Sequence, residues 1–455
     1  MHTKNYAMKI SIIGLGSMGY NLTRNLISKG FLVSAYEKNI NTVSDDIVTD
    51  LKGLTLKSSM KDLCSEYTGN QLVLLSVPAT SVDQCIDDLA NLLSPGDIVA
   101  DLGNSLHSKS VLRSDFLAKR KIDFLGIGVS GGPRGAHLGP AIMAGGSKRA
   151  WNETKHIFES MAAKRNNTSA CQYFGLPGNG HFIKAVHNGI EYALMAILAE
   201  ISNVLMDGFG LERGSCAQRL AKILNSFTSS FLLDLTSQAV GMKSTDNKYL
   251  LDLVDHQIGH NGTGQWAVNA ALDLGVSVPS IYSALSTRLL SNNFNFKRTT
   301  DAKAQKHERK SSHIDDLEME EIIFFNFACA LFQGLHLIEQ YKKDISADFD
   351  ISAVFKAWSA GCILQGKYLD FISAEFESYQ SLDFSFLEIL LNKKSTANRA
   401  SIRKFISIAN SMAIPIPTLS ATIGYHDQIY STHKLGEITQ LQRHLFGDHP
   451  IKKHS

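Results

Sequence analysis

Short apolar runs alternate with longer amphipathic stretches through roughly the first 175 residues of the chain. The runs MKISIIG (8–14), FLVSAYE (31–37), QLVLLSV (71–77) and DIVADLG (97–103) are rich in β-branched residues, and the stretch 17–30 has helical periodicity. Apolar runs of this length are typical of buried parallel strands. The pattern therefore predicts a βαβ series, which is an α/β domain with a parallel sheet covered by helices.

The second half of the chain has a different periodicity. After the loop GLPGNG (175–180), long helical patterns continue to about residue 430, and strand-like alternation largely disappears. Only 9 prolines are present, which suits long uninterrupted helices. We therefore expect an α/β domain at 1–177, a large all-α domain at 178–434 and a short C-terminal tail at 435–455.

The composition indicates a folded protein without a polyanionic partner. Of the 455 residues, 44% are hydrophobic and 19% are charged, which is enough apolar material for a sizeable core. Lys and Arg number 45 against 43 Asp and Glu, and the resulting net charge of +2 provides no broad basic field for nucleic acid or a membrane surface. We also expect no targeting segment and no membrane span, since no uncharged apolar stretch of about 20 residues is present.

The six cysteines are scattered along the chain and form no C-x-x-C pair. The sequence therefore predicts neither a metal site nor a disulfide framework. Unpaired cysteines of this kind fit a reducing compartment, so we expect a cytoplasmic protein.

A glycine motif follows the first predicted strand and opens the first predicted helix. In Gly14-x-Gly16-x-x-Gly19, the first glycine permits a tight turn, the second lets the backbone approach a pyrophosphate, and the third lets the helix pack closely. The helix N-terminus then faces the anion. This context predicts a dinucleotide site in a Rossmann-type domain, with a glycine turn that binds no ligand as the alternative.

The residue after the second strand bears on the choice of cofactor. Glu37 lies where an acidic side chain accepts hydrogen bonds from the adenosine ribose, which favours NAD, because a carboxylate repels the 2′-phosphate of NADP. The adjacent Lys38 keeps NADP possible, since a cation screens that repulsion or binds the phosphate. The candidate cofactor-binding residues are Gly14, Gly16, Ser17, Met18, Gly19, Glu37, Lys38, Val77 and Asn104.

A polar stripe marks the helix predicted after residue 180. Lys184, His187, Asn188 and Glu191 are spaced i, i+3, i+4 and i+7, so they share one helix face. The apolar continuation of this helix predicts that the stripe enters the interior, where unpaired charges are costly and usually serve chemistry. A surface face with Lys–Glu pairing is the alternative.

Four separated segments carry a family resemblance. GVSGGPRGAHLGPAIMAGG (128–146), GNGHFIKAVHNGIEY (178–192), NGTGQWAVNAALDLGV (261–276) and QRHLFGDH (442–449) resemble, in order, the signatures of the decarboxylating 6-phosphogluconate dehydrogenases. The resemblance implies a Rossmann-type α/β domain, a large all-α domain and a C-terminal tail that reaches into the neighbouring subunit of a homodimer.

The resemblance also implies roles for the polar stripe. Lys184 takes the proton of the substrate's C3 hydroxyl as hydride passes to the nicotinamide, and Glu191 protonates the enediol at C1. His187 and Asn188 hold the substrate, Ser130, Gly131 and Gly132 grip its carboxylate, and Asn104 lies near both the nicotinamide and the substrate. Two simpler interpretations stay open, a tight turn at Ser130–Gly132 and a turn cap at Asn104.

The phosphate end departs from the family pattern. Tyr192, Arg288, Arg443 and His449 match the residues that grip the substrate phosphate and Thr263 is retained, but Asn261 replaces a lysine. A hydrogen bond to a charged group contributes about 1.5–3 kcal/mol, so this loss weakens phosphate binding by roughly ten- to a hundredfold. Without the resemblance, Arg288 and Arg443 read as solvated surface residues. Further departures are Leu102, Pro133, Arg134, Ser359 and Gln365.

The implied function is NAD(P)-dependent oxidative decarboxylation of 6-phosphogluconate to ribulose 5-phosphate and CO2, a reaction of the pentose phosphate pathway and of gluconate use. Two alternatives remain open, the oxidation of a different sugar acid, because of Asn261, and a non-catalytic NAD-binding paralogue. The implied partners are a small sugar acid and a second copy of the chain; we expect no metal, nucleic acid or membrane.

Overall fold

The computed structural model of the chain describes residues 8–39, 52–65, 70–259, 262–293, 314–394, 399–432 and 435–453. An α/β domain comes first and a large helical domain follows, which confirms the predicted fold class. The strands are β1 (Lys9–Ile13), β2 (Val33–Tyr36), β3 (Leu54–Leu56), β4 (Gln71–Leu75), β5 (Ile98–Asp101), β6 (Asp123–Ser130), β7 (Ala141–Gly146), β8 (Lys164–Arg165), β9 (Thr168–Ser169) and β10 (Cys171–Tyr173).

Eight of these strands form one sheet in the order β10-β7-β6-β5-β4-β1-β2-β3, while β8 and β9 pair separately. All residues of β4 and β5 are buried, as expected for central parallel strands with helices on both faces. The order reverses at β1, where β2 and β3 continue on one side and β4 to β6 on the other. An open α/β sheet binds its ligands at such a switch point, beyond the carboxyl ends of the strands.

One strand corrects the prediction of a purely parallel sheet. β6 and β7 pair antiparallel, with Leu125 opposite Gly146 and Ser130 opposite Ala141. The connecting segment, residues 131–140, is shorter than the dozen or so residues that a parallel crossover needs. The chain therefore turns back on itself at Gly131, whose φ of +123° falls in the range that favours glycine.

Within the described residues, six helices belong to this domain, and α1 packs on the sheet through Leu22 and Leu26, which are buried. Their burial follows the i, i+4 spacing of an amphipathic helix. The helices are α1 (Ser17–Ser28), α2 (Met60–Cys64), α3 (Ala79–Ala90), α4 (His107–Ala118), α5 (Gly132–Leu138) and α6 (Lys148–Met161).

The regular elements in the described part of the second domain are helices, apart from two isolated β-bridges. Its helices are α7 (Asn179–Asn203), α8 (Arg213–Ile223), α9 (Phe231–Gly241), α10 (Thr263–Asp273), α11 (Pro279–Asn293), α12 (Asp316–Asp344), α13 (Ile351–Trp358), α14 (Lys367–Tyr379), α15 (Phe384–Asn392), α16 (Ala400–Ser411), α17 (Pro417–Tyr430) and α18 (Gly436–Gly447), with a π-helical turn at Val204–Gly208 and a 3-10 turn at Leu250–Asp252.

Two helices form the centre of this domain. By length and composition alone, Asn179–Gly208 and Asp316–Asp344 are apolar enough to cross a membrane. Their apolar windows are, however, 67% and 94% buried inside the protein, which is typical of core helices. Helix α7 also contacts β6 and β7, so the core helix that carries the polar stripe starts against the sheet.

Close backbone contacts join the two domains. A Cβ at Gly180, in the first turn of α7, would lie 2.3 Å from the carbonyl oxygen of Met143 and 2.5 Å from that of Gly126. On the other side, Ala141 donates its N–H to the carbonyl oxygen of Gly361, 3.2 Å away. These approaches fix the polar stripe relative to the carboxyl edge of the sheet.

Glu200 on α7 should make the stability of the helical domain depend on pH. Its carboxylate accepts the N–H groups of Thr418 and Leu419 at the start of α17, each at 2.8 Å, yet burial raises its pKa from 4.5 to about 7. The folded chain thus keeps a proton that the unfolded chain loses above about pH 4.5. The free energy of unfolding should then fall by up to about 3 kcal/mol as the pH rises through this window.

Thermal midpoints between pH 5 and pH 8 test this, with Glu200→Gln expected to flatten the profile and with exposed Glu377→Gln as the control. If Glu200→Gln leaves the slope of the profile unchanged, the carboxyl of Glu200 does not titrate in this range.

Candidate functional site

A cavity of about 930 Å³ lies between the carboxyl edge of the sheet and the helical domain. It brings together eleven of the candidate residues named from the sequence, which are Gly16, Ser17, Met18, Val77, Asn104, Ser130, Gly131, Gly132, Lys184, Asn188 and Glu191. Its other lining residues were not singled out as site residues from the sequence; they are Ser76, Pro78, Ala79, Leu102, Gly103, Val129, Phe231, Leu235 and Ile363.

The glycine turn has the geometry that its spacing predicts. Gly14 has φ of +94°, and a Cβ there would lie 2.4 Å from the carbonyl oxygen of Ser76. A Cβ at Gly19 would lie 2.0 Å from the oxygen of Gly14, so any side chain there would push α1 away from the turn. Apart from its neighbours along the chain, no residue has an atom within 4 Å of the Cβ position of Gly16, which leaves room for a pyrophosphate against the N-terminus of α1.

Glu37 follows β2, across the switch point from Lys184. One carboxylate oxygen accepts the N–H of Leu15 at 2.7 Å, and the other accepts that of Asn39 at 3.1 Å. The carboxylate is therefore held beside the glycine turn, where an adenosine ribose lies in this fold. The neighbouring Lys38 is exposed.

The polar stripe is interior, as predicted. Lys184, His187 and Asn188 are buried, and Glu191 is partly buried. The amide of Asn188 organises the group, because its Nδ2 donates to Thr263 Oγ1 at 2.7 Å while its Oδ1 accepts from Lys184 Nζ at 2.6 Å. This arrangement contradicts the surface alternative.

His187 extends the same network to the sheet. With the amide of Asn188 in this orientation, its oxygen also faces His187 Nδ1 at 3.1 Å, so that nitrogen carries the ring proton. The other nitrogen, Nε2, then accepts from Ser130 Oγ at 3.3 Å. Burial and the nearby Lys184 hold the pKa of His187 well below 6.5, so the imidazole is neutral.

Burial shifts the amine and the carboxyl of the stripe towards their uncharged forms. It lowers the pKa of Lys184 from 10.5, although Glu191 opposes the shift. It also raises the pKa of Glu191 from 4.5, against the influence of Lys184 and Arg288. A neutral amine is a base and a protonated carboxyl is an acid, so both shifts are in the direction that favours general acid–base catalysis.

Arg288 is buried, with 8% of its surface exposed. The interpretation of Arg288 as a solvated surface residue, made without the resemblance, is therefore wrong. Its guanidinium lies over the ring of Tyr192, 3.7 Å from the centroid, and donates to the carbonyl oxygen of Gly259 at 3.0 Å. Gly264 packs under the same ring, since a Cβ there would lie 2.4 Å from it. Tyr192, Arg288 and Thr263 thus follow the polar stripe along one side of the site.

None of the phosphate-end candidates, Tyr192, Thr263 and Arg288 included, is among the residues that line the cavity. Arg443 lies on exposed helix α18, and His449 follows that helix, also exposed. Asn261 lies outside the described residues.

The loop after α13 is a part of the site that sequence reasoning missed. The ring of Trp358 packs against that of His187, with centroids 5.7 Å apart. Cys362 is buried in this loop, and burial raises the pKa of its thiol to about 12. Gln365, at a position where the family has arginine, accepts the N–H of Gly361 at 3.1 Å. The one sequence signal for this loop was that two departures from the family pattern, Ser359 and Gln365, lie close to Gly361.

No group of three or more His, Cys, Asp or Glu side chains within the described parts of the chain is arranged to hold a metal ion. The cavity itself brings the amine of Lys184, the carboxyl of Glu191 and the amides of Asn188 and Asn104 to the glycine turn.

Sequence comparison covers both domains. Residues 9–175 match the model of the NAD binding domain of 6-phosphogluconate dehydrogenase, and residues 180–455 match that of the C-terminal domain of 6-phosphogluconate dehydrogenase. The decarboxylating 6-phosphogluconate dehydrogenases of Ceratitis capitata and Homo sapiens are 32% and 30% identical to this chain, over 97% of its length and 92% and 93% of theirs.

Structural comparison agrees. The 6-phosphogluconate dehydrogenase of Plasmodium falciparum, solved in its apo form and in complexes with its cofactor NADP+ and with its substrate 6-phosphogluconate, superposes with a TM-score of 0.89 at 27% identity over 98% of both chains. Two matching domains, relatives of at least 30% identity over nearly the whole chain and a shared fold lead to one conclusion: the protein belongs to the 6-phosphogluconate dehydrogenase family.

Proposed function

We propose that the protein oxidises 6-phosphogluconate with a nicotinamide dinucleotide and decarboxylates it to ribulose 5-phosphate and CO2. The observation that carries this proposal is that Lys184 and Glu191 line the same cavity as the glycine turn and Asn104. Curated relatives of this chain are named decarboxylating 6-phosphogluconate dehydrogenases. A paralogue without turnover has no use for a buried amine and a partly buried carboxyl beside a cofactor site.

The residues of the glycine turn fit the dinucleotide, since Gly16 leaves open space at the N-terminus of α1. When bound, the nicotinamide accepts hydride from C3 of the sugar acid. Neutral Lys184 takes the C3 hydroxyl proton on Nζ, and the resulting ammonium stabilises the ketone oxygen. The electrons of the breaking C–CO2 bond then flow into that carbonyl, which leaves an enediol.

Glu191 completes the reaction by giving its proton to C1 of the enediol, which yields the ketose. We assign Ser130 to the carboxylate end of the substrate and Asn188 to holding the substrate; both line the cavity and both hydrogen-bond to His187. Neutral His187 fixes their orientation without adding a charge.

An assay of the purified protein tests this function. It combines NAD or NADP with 6-phosphogluconate, gluconate and other aldonates, and follows reduced cofactor and released CO2. We expect equimolar reduced cofactor and CO2 with 6-phosphogluconate. Faster turnover of another aldonate would show that the protein, with Asn261 in place of lysine, acts on a different substrate. No product from any combination of cofactor and aldonate would favour the non-catalytic paralogue.

We propose NAD rather than NADP as the preferred cofactor, although the relative from Plasmodium falciparum was solved with NADP+. The Glu37 carboxylate, held by Leu15 and Asn39, would face the 2′-phosphate of NADP. Glu37→Ala should lower the KM for NADP by about tenfold or more and raise that for NAD, as measured by initial rates with both cofactors. Glu212→Ala, outside the cavity, is the control; a wild-type preference for NADP would contradict the assignment.

We also propose a homodimer in which the tail of each subunit completes the site of the other. Helix α18 exposes Leu441, Leu445 and Phe446, with Leu445 and Phe446 86% and 93% exposed, and an apolar helix face of this kind needs a partner surface. Because Arg443 lies on this helix, its cation would reach the phosphate site from outside the subunit.

Mixed dimers test this exchange. Lys184→Met and Arg443→Ala should each lower activity alone. In a heterodimer with exchanged tails, the Arg443→Ala subunit keeps its own Lys184 and receives an intact tail from the Lys184→Met subunit, so one site is complete. We expect activity to rise severalfold when the variants are unfolded and refolded together, with separately refolded samples mixed afterwards as the control. No recovery in heterodimers confirmed by mass would show that each tail serves its own subunit.

We further propose a cytoplasmic location, supported by six cysteines that are all free, five of them buried. Fluorescence microscopy of a tagged chain checks this.

A further inference from the structure

Arg113 on α4 joins two walls of the cavity without lining it. Its side chain is 6% exposed; Nε donates to Asp83 Oδ1 at 2.7 Å, and Nη1 donates to Asp101 Oδ2 at 3.0 Å and to Ser105 Oγ at 2.8 Å. One guanidinium therefore holds a carboxylate of α3 and a carboxylate at the end of β5 in a fixed relation.

Asp101 transmits this constraint to the turn that carries Asn104. Its carboxylate is completely buried, and Oδ1 accepts the N–H of Gly103 at 2.9 Å while Oδ2 accepts the hydroxyl of Ser105 at 2.6 Å. These two bonds bracket Asn104, as in turns built around an aspartate side chain. The place of Asn104 in the cavity thus follows from the orientation of the Asp101 carboxylate.

Asp83 transmits the constraint to the other wall. It lies one turn into α3, whose first residue, Ala79, lines the cavity together with Val77 and Pro78. The turn of Asn104 follows β5 and the start of α3 follows β4, so both lie on the Lys184 side of the switch point. Glu37 lies on the opposite side, where separate hydrogen bonds hold it.

We propose that Arg113 is a positioning residue for the nicotinamide half of the cofactor, acting through Asp101 on Asn104 and through Asp83 on the start of α3. The proposal rests on the cofactor site of the proposed function but not on turnover. Lysine at this position keeps the charge, yet its compact ammonium has no fork with which to reach both carboxylates. Arg113→Lys should therefore loosen the two walls without leaving Asp101 beside an uncharged side chain.

The test compares two ligands that share an adenosine half. We would titrate the purified full-length protein with NADH and with ADP-ribose, using the 2′-phosphorylated pair if the protein prefers NADP. For Arg113→Lys we expect the Kd of NADH to rise about ten- to a hundredfold and that of ADP-ribose to change by less than about twofold. Lys109→Met is the matched control, because Lys109 also pairs with Asp83, at 3.6 Å, but is exposed.

Ser105→Ala provides a milder variant if Arg113→Lys does not fold. It removes one of the bonds that bracket Asn104 and leaves the ion pairs intact, so we expect the same selective loss of NADH affinity, about three- to tenfold. An equal loss for both ligands would show that Arg113 only supports the domain, and unchanged NADH binding would show that the turn needs no clamp. Either result overturns the proposal. A wild-type protein that binds NADH but turns over no aldonate would instead refute the proposed function alone.

Discussion

Replacing Lys184 by methionine is expected to lower kcat for 6-phosphogluconate about 10³- to 10⁴-fold while leaving the Kd of the reduced cofactor unchanged. Among the described residues, Lys184 is the one amine that lines the cavity. Burial lowers its pKa, which favours the neutral form that accepts a proton. General base catalysis typically contributes 10²- to 10⁴-fold, and the same ammonium also stabilises the ketone. Methionine has a similar length and packs without a charge.

Single-turnover measurements of cofactor reduction, with cofactor affinity measured separately, check this expectation. Lys184→Arg should be equally inactive, because a guanidinium does not give up its proton. Lys222→Met, on the exposed face of α8, should behave like the wild type. If Lys184→Met retains a tenth of wild-type turnover, another group is the base.

Glu191→Gln should separate the two halves of the reaction. Glutamine keeps the shape of Glu191 but has no acidic proton, so the enediol left after decarboxylation is protonated slowly at C1. We expect a burst of one reduced cofactor and one CO2 per site, followed by steady turnover lowered about 10²- to 10³-fold.

Rapid-quench analysis that counts CO2, reduced cofactor and ribulose 5-phosphate in the same sample measures this burst. Glu339→Gln, on α12 outside the cavity, is the control. The absence of a burst would show that Glu191 is needed at or before hydride transfer. Unchanged steady turnover would show that another group donates the proton to C1.

The parts of the site that lie within one element were predictable from the sequence. The spacing of Lys184, His187, Asn188 and Glu191 places them on one face because a helix repeats every 3.6 residues. The glycine turn was predictable for a similar reason, since Gly14 and Gly19 meet each other across a single strand–helix junction. In both cases the contacts are local, so periodicity and spacing determine them.

Contacts between distant segments were not predictable in this way. Arg288 lies 96 positions beyond Tyr192 and is buried only because α11 packs beside α7. Arg113 reads as one more charge on an amphipathic helix, and only the folded sheet brings Asp101 beneath it. The antiparallel pairing of β6 with β7 likewise became visible only in the folded sheet, where Leu125 lies opposite Gly146.

By itself, the sequence determined that a dinucleotide-binding α/β domain precedes a helical domain carrying a polar stripe, because those features repeat with the period of a strand or a helix. The tertiary structure decided that Lys184 and Glu191 line the same cavity as the glycine turn, that Arg288 is buried and that Asp101 pairs with Arg113. Burial and charge pairing are properties of the assembled elements, and they set the pKa values on which the proposed chemistry depends.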